Sequence, residues 1–293
     1  MMSERIKVLK TYKIFIDGKF PRTESGRYYQ TKNNGIPIAN ICMSSRKDMK
    51  NAVAAARKAF LGWSNRTAYN RSQILYRIAE MLETRKSQFL EELVLQGWTN
   101  KNAELEIHKT IDRIIYFAGW ADKINQVFGS VNPVATSHFN FTMLEPMGVV
   151  GLITNEETPL LAIASCIIPA IVSGNTVVVI ASEKAPLSAL TFAEVISNSD
   201  VPPGVVNILS GSKKELSPHL YSHMDVNAIG DFSNLTNDEI KLTAVENLKR
   251  IRLFGASEIS NDNFDSPYVI KDFMEAKTTW HPIESGFANS NSY

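Results

Sequence analysis

The residues of this chain whose types could do chemistry are two cysteines, Cys42 and Cys166, a few histidines, and one pair of adjacent carboxylates, Glu156 and Glu157. A cysteine acts as a nucleophile only as its thiolate, which needs a nearby cation or a helix N-terminus. Cys166 stands among Ala162, Ile163, Ile167 and Ile168, the pattern of a buried helix in which a thiol stays protonated and inert. Cys42 falls in an early strand and is no better placed. The adjacent carboxylates have the form of a general acid and base, but nothing nearby in sequence closes over them, and an exposed, solvated loop tip is expected. His138 has no acidic or thiol neighbour at ligand spacing, and no zinc-type cluster occurs, so no metal site is expected. His108, Trp98 and Trp120 fit helix surface and core packing.

The stretch carrying these carboxylates must be positioned by a β-α-β unit. An apolar run over 148–153 suits a buried parallel strand, an apolar helix follows over 159–172, and 176–180 forms a second strand. Alternation then continues, with strands expected over 205–209, 227–231 and 250–254 and helices over 187–197, 214–222 and 236–246. Five strands alternating with helices predict an α/β fold with a doubly wound parallel sheet. Ligands of such sheets gather at the carboxyl ends of the strands, here the loops 154–158, 181–183, 210–212 and 232–234. None carries a Gly-x-Gly-x-x-Gly fingerprint.

Upstream, Asp17-Gly18 within Lys13 to Phe20 signals a β-hairpin, and Asn33-Asn34-Gly35 a second turn. Ser45 with Asp48 forms a capping box before a first helix reaching about Leu61. Further helices end before Gly97, and one long helix is expected to carry Ile107 through Ile124. Phe139, Phe141 and Met143 alternate as an extended ribbon.

The balance of 31 basic and 30 acidic residues, net +1, gives no field that would draw nucleic acid or an anionic membrane. The most apolar window, 161–181, is interrupted by Pro169, Ser173, Gly174 and Asn175, which fits helix, turn and strand rather than a membrane span. The N-terminus lacks the apolar core of a signal peptide, so a cytoplasmic location with free thiols is expected.

FIDGKF, NAVAAARKAFLGW, IYFAGWADKI, LEPMGVVGLI, GNTVVV, VPPGVVNILSG, SHMD and NLKR together resemble the text of an aldehyde dehydrogenase. YKIFIDGKFPRTESGRYY and EAKTTWHPI are more particularly similar to the degenerate second unit of the two-unit, family-sixteen type. The resemblance implies a Rossmann-like sheet with an N-terminal helical region and an oligomerisation β-ribbon. It also implies, for competent members, NAD-dependent oxidation in which a cysteine thiolate attacks the aldehyde, an asparagine holds the oxyanion and a glutamate activates water.

The implied positions do not carry those residues. The oxyanion asparagine of the family's Pro-Trp-Asn-Phe-Pro falls on Glu157, whose carboxylate would repel an oxyanion. The lysine of Lys-Pro-Ser-Glu falls on Ile180, leaving Glu183 as the one candidate cofactor contact. Phe-Thr-Gly-Ser aligns with Asp231, Phe232, Ser233 and Asn234, and Phe254 takes the general base's place. The catalytic domain with its nucleophilic cysteine is absent after the NLKR segment. The resulting expectation is an N-terminal hairpin and helical part over 1–135, a ribbon from 136–147 plus 268–284, and a five-strand unit over 148–256. Its function is expected to be that of a non-catalytic subunit, without cofactor, that pairs through the ribbon with itself or with a separately encoded aldehyde dehydrogenase. The alternative is an NAD-dependent oxidoreductase whose site a partner chain completes.

Overall fold

The structure is a computed structural model that describes residues 8–235, 238–255 and 257–283. The initial residues read against a signal peptide, the helix start at Thr236, the unit boundary at Ala256 and the ribbon position Glu284 lie outside the described residues.

The N-terminal sheet orders β1 (Thr11–Tyr12), β3 (Ile36–Cys42) and β2 (Tyr28–Asn33). Asn34 and Gly35, at φ 48° and 80°, make the tight turn between β2 and β3, a geometry that needs positive φ at both positions. The hairpin expected over Lys13 to Phe20 shrinks to a single turn in which Ile16 and Lys19 exchange hydrogen bonds of 3.0 Å. Its strands do not extend because Phe15 instead exchanges backbone hydrogen bonds with Ile208, which draws the chain to the edge of the main sheet.

Ser45 caps α1 (Arg46–Ser64), its hydroxyl accepting from the Asp48 N–H while Asp48 accepts from the Ser45 N–H. Then come α2 (Ala68–Thr84), α3 (Lys86–Leu95) and α4 (Asn100–Ala118). The single helix expected to reach Ile124 stops at Gly119 and resumes as α5 (Ile124–Phe128). The intervening turn lets Trp120 pack on Tyr116 and the core.

After β4 (Ser130–Asn132) and β5 (His138–Pro146), the main unit runs β6 (Val149–Ile153), α6 (Pro159–Val172), β7 (Thr176–Ile180), α7 (Leu187–Ser197), β8 (Val206–Leu209), α8 (Lys213–Ser222), β9 (Ala228–Asp231), α9 (Asp238–Leu242) and β10 (Arg250–Leu253). All pairings in this sheet are parallel, in the order β10-β9-β6-β7-β8. Strand periodicity sorts the side chains. Val149, Ile153, Val178 and Ile180 face α1 and α8, while Val150, Leu152, Val177 and Val179 face the layer of α2, α4, α6 and α7. Both faces are covered, which is why β6 and β7, Thr176 apart, are apolar and fully buried. Gly148 enters β6 at φ +132°, where a Cβ would lie 2.2 Å from Asn227 Oδ1.

The segment expected to form ribbon from residue 268 first makes a helical turn, α10 (Pro267–Lys271), because Pro267 begins it and Ser266 accepts from the Tyr268 N–H. β11 (Met274–Pro282) then pairs antiparallel with β5 along nine uninterrupted positions, giving a third sheet in the order β11-β5-β4. No helix among the described residues is long and apolar enough to cross a membrane.

Candidate functional site

At the carboxyl ends of the parallel strands, the side chain that organises the loops is Lys213, the first residue of α8. Its ammonium is 1% exposed and ion-paired with Glu156, whose side chain is 21% exposed. Lys213 Nζ also donates to Thr154 O at 2.6 Å and Asn155 O at 3.4 Å, so it reaches from the start of α8 to the loop that leaves β6. Glu156 in turn accepts from Ser182 Oγ at 2.5 Å and from the backbone N–H groups of Glu183 and Lys184 at 3.2 and 3.0 Å. One ion pair thus ties together the loops following β6, β7 and β8. Burial alone would raise the Glu156 carboxyl, but Lys213 and the hydrogen-bond donors outweigh it and hold the group below its ordinary range. Burial lowers Lys213, with Glu156 resisting.

Helix N-termini at such strand ends are anion sites in dinucleotide-binding folds, because their N–H groups are unsatisfied. Here they are taken. Glu106, buried on α4, accepts from Leu160 N and Leu161 N at 2.9 and 3.1 Å, which fills the start of α6. Burial pushes the Glu106 carboxyl up to about 7, against the opposing effect of those backbone donors. At α8, the Lys213 N–H donates to Glu183 Oε2 at 3.3 Å.

At the end of β9, Asp231 is buried and accepts from Tyr221 Oη at 3.0 Å and from the N–H and hydroxyl of Ser233 at 2.8 and 2.6 Å. Phe232 is buried next to it with its ring stacked on Phe254, centroids 4.2 Å apart and planes 4° from parallel. Phe264 closes the cluster at 6.1 Å from Phe232. The connection that carries Phe264 is anchored by Arg113, fully buried, which donates to Asp265 at 2.6 Å, to Ile259 O at 2.6 Å and to Ser165 Oγ at 2.9 Å.

Several residues singled out in the sequence do not meet. Glu157 is exposed, its N–H donating to Asn155 Oδ1 at 3.2 Å. Its neighbour Glu156 is not a solvated loop tip as expected; the ion pair with Lys213 turns it inward. The adjacent carboxylates therefore do not work as a pair. Cys166 is fully buried with its thiol pushed well up by burial, and Cys42 is buried. His108 is exposed, and His138 lies edge-on to Trp280. Among the described residues no cluster of His, Cys, Asp or Glu could hold a metal ion.

Sequence reasoning missed Lys213, Glu106 and Arg113. Each left a signal. Lys213 is a cation at the first position of a helix, where the dipole disfavours it unless a carboxylate is at hand. Glu106 and Arg113 are charges on the stripe of α4 that also carries Ala103, Ile107, Thr110, Ile114 and Phe117, all buried.

The model described as "Aldehyde dehydrogenase family" matches residues 23–255. The chain is 35% identical over 251 residues to the putative aldehyde dehydrogenase DhaS of Bacillus subtilis (strain 168), covering 83% of this chain and 50% of that protein. It is 33% identical over 255 residues to the cytosolic 10-formyltetrahydrofolate dehydrogenase of Xenopus tropicalis, covering 83% of this chain and 28% of that one. Among solved structures, PnpE from Pseudomonas sp. WBC-3 superposes with a TM-score of 0.79 at 32% identity, over 84% of this chain and 50% of its own. The NAD+ complex of the aldehyde dehydrogenase from Bacillus cereus matches with a TM-score of 0.79 at 29% identity, over 83% and 50%. The chain spans about half the length, or less, of the relatives it matches.

Proposed function

The chain belongs to the aldehyde dehydrogenase family, and from that premise we propose that it is a non-catalytic subunit serving the assembly or stabilisation of a complete aldehyde dehydrogenase. The observation that carries this reading is that the polar capacity of the strand-end crevice is consumed internally. Lys213 and Glu156 neutralise each other across three loops, Glu106 fills the N-terminus of α6, and Glu183 accepts from the start of α8. NAD is the group the family implies, and these residues do not fit it. A pyrophosphate needs free N–H groups or a free cation, and at the place of the family's glycine stands Ser233, whose N–H and hydroxyl both donate to the buried Asp231. At the position of the oxyanion asparagine, Glu157 offers a negative charge.

The third sheet supports the assembly half of the reading. β10 is joined to β11 through residues 254–273 with no further domain between them, yet β5 and β11 keep full antiparallel register. Phe139 and Met143 on one face of this sheet are 47% and 43% exposed, and Trp280 on the other face, opposite Asn140, is 55% exposed, exposed apolar groups of the kind that a partner covers. The test is to mix the purified chain with a complete aldehyde dehydrogenase and follow both the eluted mass and the enzyme's half-life at elevated temperature. Co-elution or a lengthened half-life supports the reading. A clean monomer that leaves the enzyme unchanged removes it.

A second reading, an NAD-dependent oxidoreductase acting on aldehydes with a site completed by a partner chain, is favoured by one observation: the Glu183 side chain is exposed at the end of β7, and PnpE, a relative at 32% identity, has a structure in complex with nicotinamide adenine dinucleotide.

A further inference from the structure

We propose that the cavity between β10 and the connection that follows it binds a free α-amino acid with an apolar side chain, held as its zwitterion. The cavity has a volume of about 240 Å3, below the ~300 to 1,000 Å3 of pockets for drug-sized ligands, which suits a small metabolite. It is separate from the Lys213–Glu156 network, none of whose residues lines it. The proposal goes beyond the assembly reading above and does not rest on it.

The walls are fixed before any ligand arrives. One side is Arg252 on β10 with Phe254 just after it, and the other is built by Glu258, Phe264, Val269 and Asp272 from the connection of residues 254–273. Two cations of α4 pin that connection. Arg113 donates to Ile259 O at 2.6 Å and Asn261 O at 3.2 Å, and Lys109 Nζ donates to Ser260 O and Asp262 Oδ1, both at 2.6 Å. Phe264 also meets Phe117 of α4 edge-on, with ring centroids 6.4 Å apart. A site held in place this way loses little to ordering when it binds.

The lining carries both signs of charge, each only partly spent. Arg252 Nε donates to Asp272 Oδ2 at 3.0 Å, and the guanidinium lies 5.2 Å from the centroid of the Phe254 ring. Its Nη1 and Nη2 groups meet no acceptor among the described residues, and such a planar fork of N–H donors matches a carboxylate. Glu258 uses Oε1 to accept from the Gly255 N–H at 3.0 Å. Glu258 and Asp272 thus each keep an oxygen for an ammonium. Burial raises the Asp272 carboxyl even though Arg252, Arg250 and Lys271 oppose it, so a further cation beside it stabilises the ionised form. Phe254, Phe264 and Val269 are buried and supply the apolar part of the wall.

Other small ligands match this lining less well. A phosphate would meet Glu258 and Asp272 as well as Arg252. A metal ion lacks ligands, since no group of three His, Cys, Asp or Glu among the described residues could hold one. A simple amine leaves the Arg252 fork unpaired, and a simple carboxylate leaves Glu258 without a cation. A zwitterion answers both, with its carboxylate on Arg252, its ammonium toward Glu258 and Asp272, and its side chain against the apolar wall.

The experiment is calorimetric titration of the full chain with L-phenylalanine and L-leucine. Each is compared with the amine that lacks its carboxylate (phenethylamine, isoamylamine) and the acid that lacks its ammonium (hydrocinnamate, isocaproate). The expected result is saturable binding of at least one amino acid and about tenfold or more weaker binding of its two analogues, the scale of one lost hydrogen bond to a charged group. In Arg252→Gln the advantage of the amino acid over its amine should vanish, and in Glu258→Gln its advantage over its acid should shrink at least threefold, with folding of each variant checked by circular dichroism. Absence of saturation by both amino acids up to about 10 mM overturns the proposal. So does an analogue that binds the wild-type chain as tightly as its amino acid, or a folded Arg252→Gln that keeps the full preference.

Discussion

Replacing one member of the Glu156–Lys213 pair at a time should give unequal losses, because the two charges have unequal access to water. The Lys213 side chain is 1% exposed and that of Glu156 is 21% exposed. Glu156→Leu would strand an ammonium inside the protein with only carbonyl acceptors, Thr154 O at 2.6 Å and Asn155 O at 3.4 Å, and removing one partner of a buried pair costs about 3 to 5 kcal/mol. Lys213→Met leaves a carboxylate that still accepts from Ser182 Oγ and from the N–H groups of Glu183 and Lys184 and can be reached by solvent. Its loss should be about 1 to 2 kcal/mol, the scale of an imperfectly satisfied polar group. The double variant removes both charges and should cost less than the sum of the singles by about 2 kcal/mol or more, as coupled neighbours do. Urea unfolding followed by tryptophan fluorescence measures all three. If Lys213→Met proves as costly as Glu156→Leu, or the two losses simply add, the crevice is not held by this pair and the reasoning fails.

Two further outcomes are expected. The Glu106 carboxyl is raised in the folded chain from 4.5 to about 7, so between those values the folded chain keeps a proton that the unfolded chain has lost. Stability from this group is therefore present below about pH 4.5 and lost as pH rises through 7, by about 3 kcal/mol. Glu106→Gln should flatten that part of the stability profile, and unfolding midpoints at pH 5 and pH 8 that shift equally in both proteins would refute it. Arg113→Leu leaves Asp265 without its cation and the carbonyls of Ile259 and Asn261 without a donor. It should cost about 3 kcal/mol or more, seen as a lowered urea midpoint, and a loss below 1 kcal/mol would show that the segment around Phe264 is held by its aromatic packing alone.

The main sheet was legible in the sequence because its strands are buried on both faces and its helices are one-faced or wholly apolar. The expected limits 159–172, 176–180 and 187–197 coincide with α6, β7 and α7, and the run over 148–153 exceeds β6 by Gly148 alone. Legibility fell where tertiary contacts overrode local pattern. The Asp17-Gly18 turn formed, but its strands yielded to the pairing of Phe15 with Ile208. The apolar spacing through Ile124 continued past Gly119 although the helix did not, because the same stripe is served by a turn that packs Trp120. At the strand ends, the identities of Glu157, Ile180, Phe232 and Phe254 could be compared with family text, whereas the state of Glu156 could not. Its partner Lys213 lies 57 positions away and looks, in sequence, like one of two solvated lysines at a helix start. Glu106 was hidden for a similar reason: it caps a helix 54 positions distant.

The crevice at the carboxyl ends of β6, β7 and β8 is occupied by internal contacts. Calorimetric titration of the full chain with NAD tests it most directly. No saturable heat is expected up to about 1 mM cofactor, a limit near 4 kcal/mol of binding free energy. A submillimolar dissociation constant that disappears in Glu183→Ala would contradict it.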